Sequence, residues 1–273
     1  MAENIEISLL SFCNNVKSKD CANSSCRNIF KKFLAFTLAE TLIVMGIIGI
    51  VSALTLPNLN SSTGEKEKVA KLKKIYQNLN DAVGRSAAVY GPVDENLHVS
   101  SGSDSALMTK IGDRFTEFLK VSKNCGTSTD KGCFSNGKYL YDYRSGDSPS
   151  TENLDSMSYA YKFVLADGSS VAIVLTLGGP MVYVNLDGPT KRPVLGKNTF
   201  VFLYDYDGSI WKDDIVTRWA SLTEDDLLES CFSEGNCSDW VIRNENLDYL
   251  KTDENGKCPN GKVLNYTTNT TCK

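Results

Sequence analysis

The longest uninterrupted apolar stretch of the chain covers residues 36–56, with the sequence FTLAETLIVMGIIGIVSALTL. Apart from one carboxylate, Glu40, every residue in it is apolar or small, and two basic residues, Lys31 and Lys32, stand just before it. About 20 apolar residues suffice for a helix to cross a bilayer, because in hydrocarbon a helix satisfies its own backbone groups. The pattern therefore predicts a membrane-spanning helix over residues 36–56, with a single acid near its start.

After Pro57 the pattern changes to an amphipathic helix that extends to about residue 90. Its apolar positions recur at spacings of three and four and so lie on one face of a helix. These positions are Val69, Leu72, Ile75, Tyr76, Leu79, Ala82 and Val83. Pro57 removes a backbone donor and clashes with the preceding turn, so a kink is expected there. We expect the apolar face of this second half to pack on a globular head.

The head, residues 91–273, begins with polar sequence and one predicted helix, Ala106–Lys120, and then turns to strands. Short β-branched and aromatic runs, separated by Asp-Gly and Gly-Gly-Pro turns, predict four strands of an antiparallel meander. The runs are Met157–Leu165, Ser170–Leu177, Met181–Leu186 and Thr199–Tyr204. The predicted fold class is α+β: a long N-terminal helix, with a membrane-spanning first half and an amphipathic second half, packed on a small antiparallel sheet.

The residues around the start of the apolar run carry a family resemblance. A basic segment ends in a small residue, Ala35, followed by Phe36, Thr37, Leu38, a small residue and Glu40, and Pro57 comes 21 residues after Phe36. This segment resembles the processing segment of type IV pilins and type II secretion pseudopilins, which usually have glycine where this chain has Ala35. The resemblance implies that a prepilin peptidase cuts between Ala35 and Phe36 and methylates the new amine.

The same resemblance implies a domain organisation and a function. Residues 1–35 would be a leader that is removed, 36–90 a helix through which subunits polymerise, and 91–273 a pilin-like head. The implied function is that of a structural subunit of a type IV pilus or type II secretion filament. Its partners would be other pilin subunits, a prepilin peptidase and inner-membrane assembly machinery. The protein would lie in the bacterial inner membrane before assembly, and in a periplasmic or cell-surface filament afterwards.

Glu40 is the candidate assembly residue. A charge at the centre of a membrane helix costs roughly 2.5–3.5 kcal/mol, so an acid in such a segment usually has a partner and a function. Once the chain is cut, the Phe36 amine of a neighbouring subunit could meet Glu40 and neutralise both groups where water is scarce. This pairing would set the register between subunits.

Two other interpretations of residues 36–56 remain open. A secretory signal peptide has an apolar core of 7–15 residues and a small-residue cut site, which Val51-Ser52-Ala53 could provide. A signal anchor could instead tether a surface binding protein that does not polymerise. Within the filament interpretation, pilus and secretion pseudopilus are equally compatible with the sequence.

Nine cysteines divide between the predicted leader and the head. Cys13, Cys21 and Cys26 would be lost on cutting, and an even number remains: Cys125, Cys133, Cys231, Cys237, Cys258 and Cys272. Local spacing suggests pairs 125–133, 231–237 and 258–272, although six cysteines permit 15 pairings. Disulfides fit a head exported to an oxidising compartment. A zinc site is the alternative, but the spacings are not CxxC and His98 is the only histidine.

The turns between the later strands carry oxygen ligands of the kind that calcium prefers. They are Asn185, Asp187, Asn198, Asp205 and Asp207. Their spacing is not that of an EF-hand, and an Asp-Gly pair after a strand is more often a simple turn. We therefore predict no cofactor, with calcium at these turns as the alternative.

Composition changes the functional picture in two ways. The chain has a net charge of −4 and the predicted leader +2, so the remainder is acidic at −6, which argues against nucleic acid as the main partner. With one histidine and no GxSxG or HExxH motif, the sequence carries no enzyme signature, and we expect no catalysis.

The amphipathic helix carries a cluster of lysines, Lys66, Lys68, Lys71, Lys73 and Lys74. The cluster is either a solvated helix face or a surface that binds anionic lipid or the acidic heads of neighbouring subunits.

Overall fold

The computed structural model describes residues 38–91, 105–135, 153–176, 179–206, 211–217 and 222–273. The chain divides into two compact units, Met1–Asn60 and Ser61–Lys273. The predicted leader and the Ala35–Phe36 bond lie outside the described residues. Cleavage at that bond therefore stays a prediction.

The first helix, α1 (Leu38–Tyr90, 53 residues), belongs to both units. Its helical assignment includes Pro57 and Gly64, while the kink expected at Pro57 stays a prediction. The residue after the helix, Gly91, has a left-handed φ of 78°, and its N–H donates to the carbonyl of Ala87. Glycine suits this position because it has no Cβ to clash there.

The prediction of a membrane-spanning first half for α1 is wrong. Among the residues that the structure describes, no helix is long and apolar enough to cross a bilayer.

A six-stranded antiparallel sheet forms the centre of the second unit, with its strands paired in chain order. The strands are β1 (Val121–Gly126), β2 (Ala160–Leu165), β3 (Ser170–Thr176), β4 (Gly179–Asn185), β5 (Thr199–Tyr206) and β6 (Trp211–Val216). The predicted antiparallel meander is confirmed for β2 to β5. The sheet is larger than predicted, because β1 and β6 extend it at its two edges.

One face of the sheet packs against α1 and against a second helix, α2 (Ser105–Thr116). The apolar stripe of α1 is buried here as predicted, with Leu72 and Ile75 fully buried. The ring of Tyr76 stacks on that of Phe202, with centroids 5.1 Å apart. Five of the seven predicted stripe residues belong to the same buried cluster as the inward residues of β2 to β6, and Tyr76 packs against it.

The opposite face of the sheet carries a second, smaller core. It is covered by the Cys125–Cys133 loop, by Phe134 and by a 3-10 turn at Leu154–Ser156. Ala172 and Val174 of β3 point into this core, because successive side chains of a strand alternate between the two faces. Both faces of the sheet are therefore at least partly covered.

After β6 the chain forms two short helices, α3 (Glu224–Glu234) and α4 (Ser238–Asn244). A capping box begins α3: the Thr223 hydroxyl accepts from the Asp226 N–H, and the Asp226 carboxylate accepts from the Thr223 N–H. A 3-10 turn at Asp248–Lys251 follows, and the remaining residues to Lys273 contain neither helix nor strand. Trp240 is fully buried and anchors this region to the core.

Candidate assembly surface

The described residues of the first unit present a row of exposed apolar side chains on α1. Their exposure ranges from 50% at Val44 to 77% at Leu38. The row consists of Leu38, Leu42, Ile43, Val44, Met45, Ile47, Ile48, Ile50 and Val51, and we call residues 38–51 the apolar segment. A soluble monomer rarely exposes a contiguous apolar surface of this kind, so such a surface marks an interaction site.

Glu40 is the only ionisable residue of the apolar segment, and its side chain is exposed in the first turn of α1. A carboxylate there is placed favourably relative to the helix dipole. Its proposed partner, the Phe36 amine, lies outside the described residues. The structure therefore positions one member of the predicted pair.

Two glycines, Gly46 and Gly49, interrupt the apolar segment. A Cβ added at either position would meet nothing within 4 Å, so no contact in the described part of the chain requires glycine there. Small residues on a helix let another helix approach its backbone closely. The two glycines are thus compatible with packing against a neighbouring helix.

The apolar residues of α1 in the second unit contrast with this segment. Val69, Leu72, Ile75 and Leu79 are each at most 6% exposed, because they pack on the sheet. Most of the exposed large apolar side chains in the described part of α1 therefore belong to the apolar segment, and the others are Val89 and Tyr90 at the end of the helix.

The lysine cluster of α1 separates into two groups. Lys71 donates to the Leu186 carbonyl at 2.7 Å, and Lys73 forms an ion pair with Glu245. These two lysines hold α1 to the head. Lys66, Lys68 and Lys74 form no ion pair within the described residues.

All six cysteines of the head are in disulfides. The pairs are Cys125–Cys133, Cys231–Cys237 and Cys258–Cys272, which confirms the pairing suggested by local spacing. The first fastens the loop after β1, the second links α3 to the start of α4, and the third closes the irregular C-terminal segment. No cysteine of the described chain is left for a zinc site.

The predicted calcium ligands lie in a loop whose polar groups already bond to one another. The Asn185 Oδ1 accepts from the Asp187 N–H at 3.0 Å, and its amide donates to the carbonyls of Gly188 and Lys191. The Asn198 Oδ1 accepts from the Val194 N–H at 2.7 Å. Both amide oxygens are thus occupied by hydrogen bonds that shape the loop.

The remaining oxygens of this loop do not complete a metal site in the described residues. Asp187 accepts from the Asn198 amide at 3.2 Å. The side chains of Asp205 and Asp207 lie outside the description. Within the residues described, no group of three or more His, Cys, Asp or Glu side chains could hold a metal ion. Calcium binding stays a prediction that a calcium titration of the Tm would test.

Sequence reasoning missed two buried ionisable side chains beneath the β1 loop, Asp155 and Lys162. The Asp155 carboxylate accepts three hydrogen bonds, from the backbone N–H groups of Gly132, Cys133 and Phe134. Lys162, fully buried on β2, donates to the backbone carbonyls of Asp155 and Met157. Burial lowers the pKa of Lys162, against the opposing influence of the Asp155 and Asp130 carboxylates. A lysine in the middle of an apolar strand, AYKFVL, was the available signal.

Comparisons with known proteins add no relative. No protein family, curated protein or solved structure matches the chain.

Proposed function

We propose that the chain is a structural subunit, pilin or pseudopilin, of a filament that assembles through α1. The observation that carries the proposal is the apolar segment: nine exposed apolar side chains on one helix with a single carboxylate at its start. Fully burying an aliphatic side chain contributes about 1.5–3 kcal/mol. Packing these segments together in a bundle would therefore provide a large driving force for assembly.

The resemblance in residues 35–57 gives the proposal its processing step. A prepilin peptidase would cut between Ala35 and Phe36, and the new amine would meet Glu40 of a neighbouring subunit. The partners are thus the peptidase, further filament subunits and an assembly machinery. Pilus and secretion pseudopilus are both versions of this function.

The disulfides support an oxidising location for the assembled head. Three pairs hold segments of it, and disulfides persist in the periplasm and on the cell surface but not in the bacterial cytosol. We place the filament in one of these two compartments. The head carries no proposed catalytic role.

The experiment that tests this function is the N-terminal sequence and intact mass of the protein expressed with and without a prepilin peptidase. We expect a peptidase-dependent start at methylated Phe36. An uncut Met1 in both cultures, or a start just after Ala53, would instead indicate an anchored or secreted binding protein. An inactive peptidase variant serves as the control for other proteases.

A further inference from the structure

An apolar groove lies on the face of the sheet opposite α1. Met181 and Tyr183 of β4 and Val201 and Leu203 of β5 line it, and they alternate along their strands with residues such as Phe202 that face α1. The groove has a volume of about 590 Å³. Pockets that bind ligands or side chains are commonly about 300–1,000 Å³ and mainly apolar.

Helix α3 forms an acidic wall beside this groove. It contains five carboxylates and no basic residue, and Glu234 lines the groove itself. Asn236 also lines the groove, and its Oδ1 is buried without a hydrogen-bond partner in the described part of the chain. A buried acceptor without a donor is costly, so the groove favours an occupant that brings N–H groups or positive charge.

The same chain carries an exposed apolar cluster at the end of α1, beside one arginine and one glutamate. Within the described residues of Ser61–Lys273, the exposed large apolar side chains are Val89, Tyr90 and Val263. The Arg114 guanidinium lies over the Tyr90 ring, 5.2 Å from its centroid, and forms no ion pair in the described chain, while the Tyr90 hydroxyl donates to the Glu117 carboxylate. We call Val89, Tyr90 and Arg114 the knob.

We propose that the knob of one subunit binds in the groove of the next. Val89 and Tyr90 would enter the apolar floor, and Arg114 would bring its cationic N–H groups to Glu234 and to the Asn236 Oδ1. Knob and groove lie on different faces of the head, so the contact is heterologous. Heterologous contacts that do not close into a ring generate open chains.

This contact is weak on its own and rests on the proposed filament for its strength. One aromatic side chain buries about 150–250 Å², whereas a stable interface buries about 1,200–2,000 Å². Subunits held side by side through α1 experience a high effective concentration of each other's heads. The knob contact would then fix the rotation of neighbouring heads.

The test is thiol cross-linking in cells that express the full chain and a prepilin peptidase. Val89→Cys places a thiol in the knob and Leu222→Cys places one in the groove. A short bismaleimide should give a ladder of oligomers with the double variant. Co-expressed single variants should give dimers only, and each single variant alone should give monomers. The matched control is Val263→Cys with Leu222→Cys, because Val263 is also an exposed valine, at 49% against 62% for Val89, but lies outside the knob.

Two further variants test the chemistry of the contact. Tyr90→Ala in the double-cysteine background should lower the cross-linked fraction about tenfold, as for truncation of an interface aromatic. Glu234→Lys should lower the cross-linked fraction similarly at low salt. Adding Arg114→Glu to that variant should restore the fraction. The proposal is overturned if the cross-linked fraction is unchanged by Tyr90→Ala. It is also overturned if Glu234→Lys combined with Arg114→Glu does not restore the cross-linked fraction.

Electron microscopy of the same cells separates this inference from the proposed function. Filaments together with the ladder support both. Filaments without the ladder overturn the knob contact alone, whereas a ladder without filaments supports the contact and contradicts the filament function. Absence of both overturns both.

Discussion

At the scale of single residues, Asp155 and Lys162 organise the loop that covers the second face of the sheet. Asp155 is 2% exposed and accepts from three consecutive backbone N–H groups, of Gly132, Cys133 and Phe134. The carboxylate thereby supplies the hydrogen-bond acceptors that a neighbouring strand would otherwise provide for the backbone of this loop. Lys162 is tied to the same turn through the carbonyls of Asp155 and Met157.

Replacing Asp155 tests how much this arrangement stabilises the head. Asp155→Ala would leave three N–H groups without their acceptor, and each buried unsatisfied donor costs about 1–3 kcal/mol. We expect the free energy of unfolding to fall by about 3 kcal/mol or more in urea titrations. Asp225→Ala, an exposed carboxylate in the first turn of α3, is the control and should cost less than about 1 kcal/mol. Equal losses in the two variants would contradict this role.

Lys162 gives the stability of the head a pH dependence whose sign is fixed by the lowered pKa. Burial lowers the pKa below the usual 10.5. Between the folded pKa and 10.5 the unfolded chain therefore binds more protons than the folded one, and stability rises with pH. Relative to Lys162→Met, the wild type should gain stability as the pH rises towards 10.5. Urea unfolding of both proteins at pH 8 to 10 measures this.

The comparison with Lys162→Met removes the contribution of other groups. Tyr161 has a raised pKa, first because of burial and then through its hydrogen bond to Asp113, so it favours the folded state less as the pH rises. Tyr161 is present in both proteins, and its effect cancels in the difference. A difference in stability that stays constant or shrinks with pH would contradict the assignment to Lys162.

Prediction of single residues from the sequence succeeded for the cysteines, a residue type with one usual role in an exported head. Six cysteines in an acidic head without paired histidines predicted disulfides, and neighbouring pairs were correct because each pair closes a short local loop. Asp155 was not predictable, since its partners are backbone groups more than 20 residues earlier in the chain. The roles of Asn185 and Asn198 were not predictable either, because a side-chain oxygen in a turn can bind a metal ion or accept a hydrogen bond from a backbone N–H group.

At the scale of elements, the strands with a clear pattern were predicted and the others were not. β2 to β5 contain β-branched and aromatic residues between glycine turns, and their observed bounds differ from the predicted ones by a few residues. β1 (VSKNCG) and β6 (WKDDIV) were missed, because polar and charged residues dominate these edge strands. Edge strands are exposed along one side, so their composition resembles that of loops.

A side chain of α1 caps one of these edges. The Asn80 amide donates to the Ile215 carbonyl at 3.1 Å, and its oxygen accepts from the Ile215 N–H at 2.7 Å. Asn80 thus mimics one pair of a strand's hydrogen bonds on β6.

Helix α3 was missed for another reason: five of the eleven residues in its sequence, EDDLLESCFSE, are acidic. Thr223 and Asp226, which form its capping box, were nevertheless a sequence signal for the start of a helix.

The packing of α2 against β2 gives an element-scale prediction based on two glycines. A Cβ at Gly112 would lie 2.1 Å from the Tyr161 ring, whereas a Cβ at Gly84 on α1 would meet nothing within 4 Å. Gly112→Ala should therefore lower the free energy of unfolding by about 1–3 kcal/mol, as for overpacked cores. Gly84→Ala should raise it by about 0.5–1 kcal/mol through helix propensity. Thermal unfolding compares them, and a stable Gly112→Ala would show that α2 is not held this closely.

At the scale of the whole molecule, the apolar pattern of α1 has two different outcomes. Apolar residues spaced at three and four, from Val69 to Val83, are buried on the sheet. The continuous apolar run, from Leu38 to Val51, is exposed. Periodicity specifies which side of a helix is covered, whereas a continuous apolar run is apolar on every side, and the described part of the chain leaves this one exposed. The membrane span predicted from the length of the apolar run 36–56 was wrong: no helix in the described residues is long and apolar enough to cross a bilayer.

The decisive whole-molecule prediction concerns Glu40. In the proposed filament the apolar segments of several subunits would pack together and surround the carboxylate with aliphatic side chains. A buried charge is tolerated only with a partner, so registers that bring Glu40 to a neighbouring Phe36 amine would be favoured over all others. Glu40→Ala leaves that amine without its carboxylate, and Glu40→Gln retains a polar side chain without the charge. Both variants should be processed normally and yet fail to enter filaments.

Sheared filament fractions, compared with total processed protein by immunoblot, measure this effect. Glu67→Ala is the matched control, because Glu67 is an exposed carboxylate of the same helix outside the apolar segment. We expect Glu67→Ala to assemble as the wild type does, and incorporation of Glu40→Ala to fall at least about tenfold, equivalent to 1.4 kcal/mol per contact. Normal filaments from Glu40→Gln would mean that hydrogen bonding, and not charge, sets the register. Normal filaments from Glu40→Ala as well would leave the exposed apolar surface as the sole determinant of assembly.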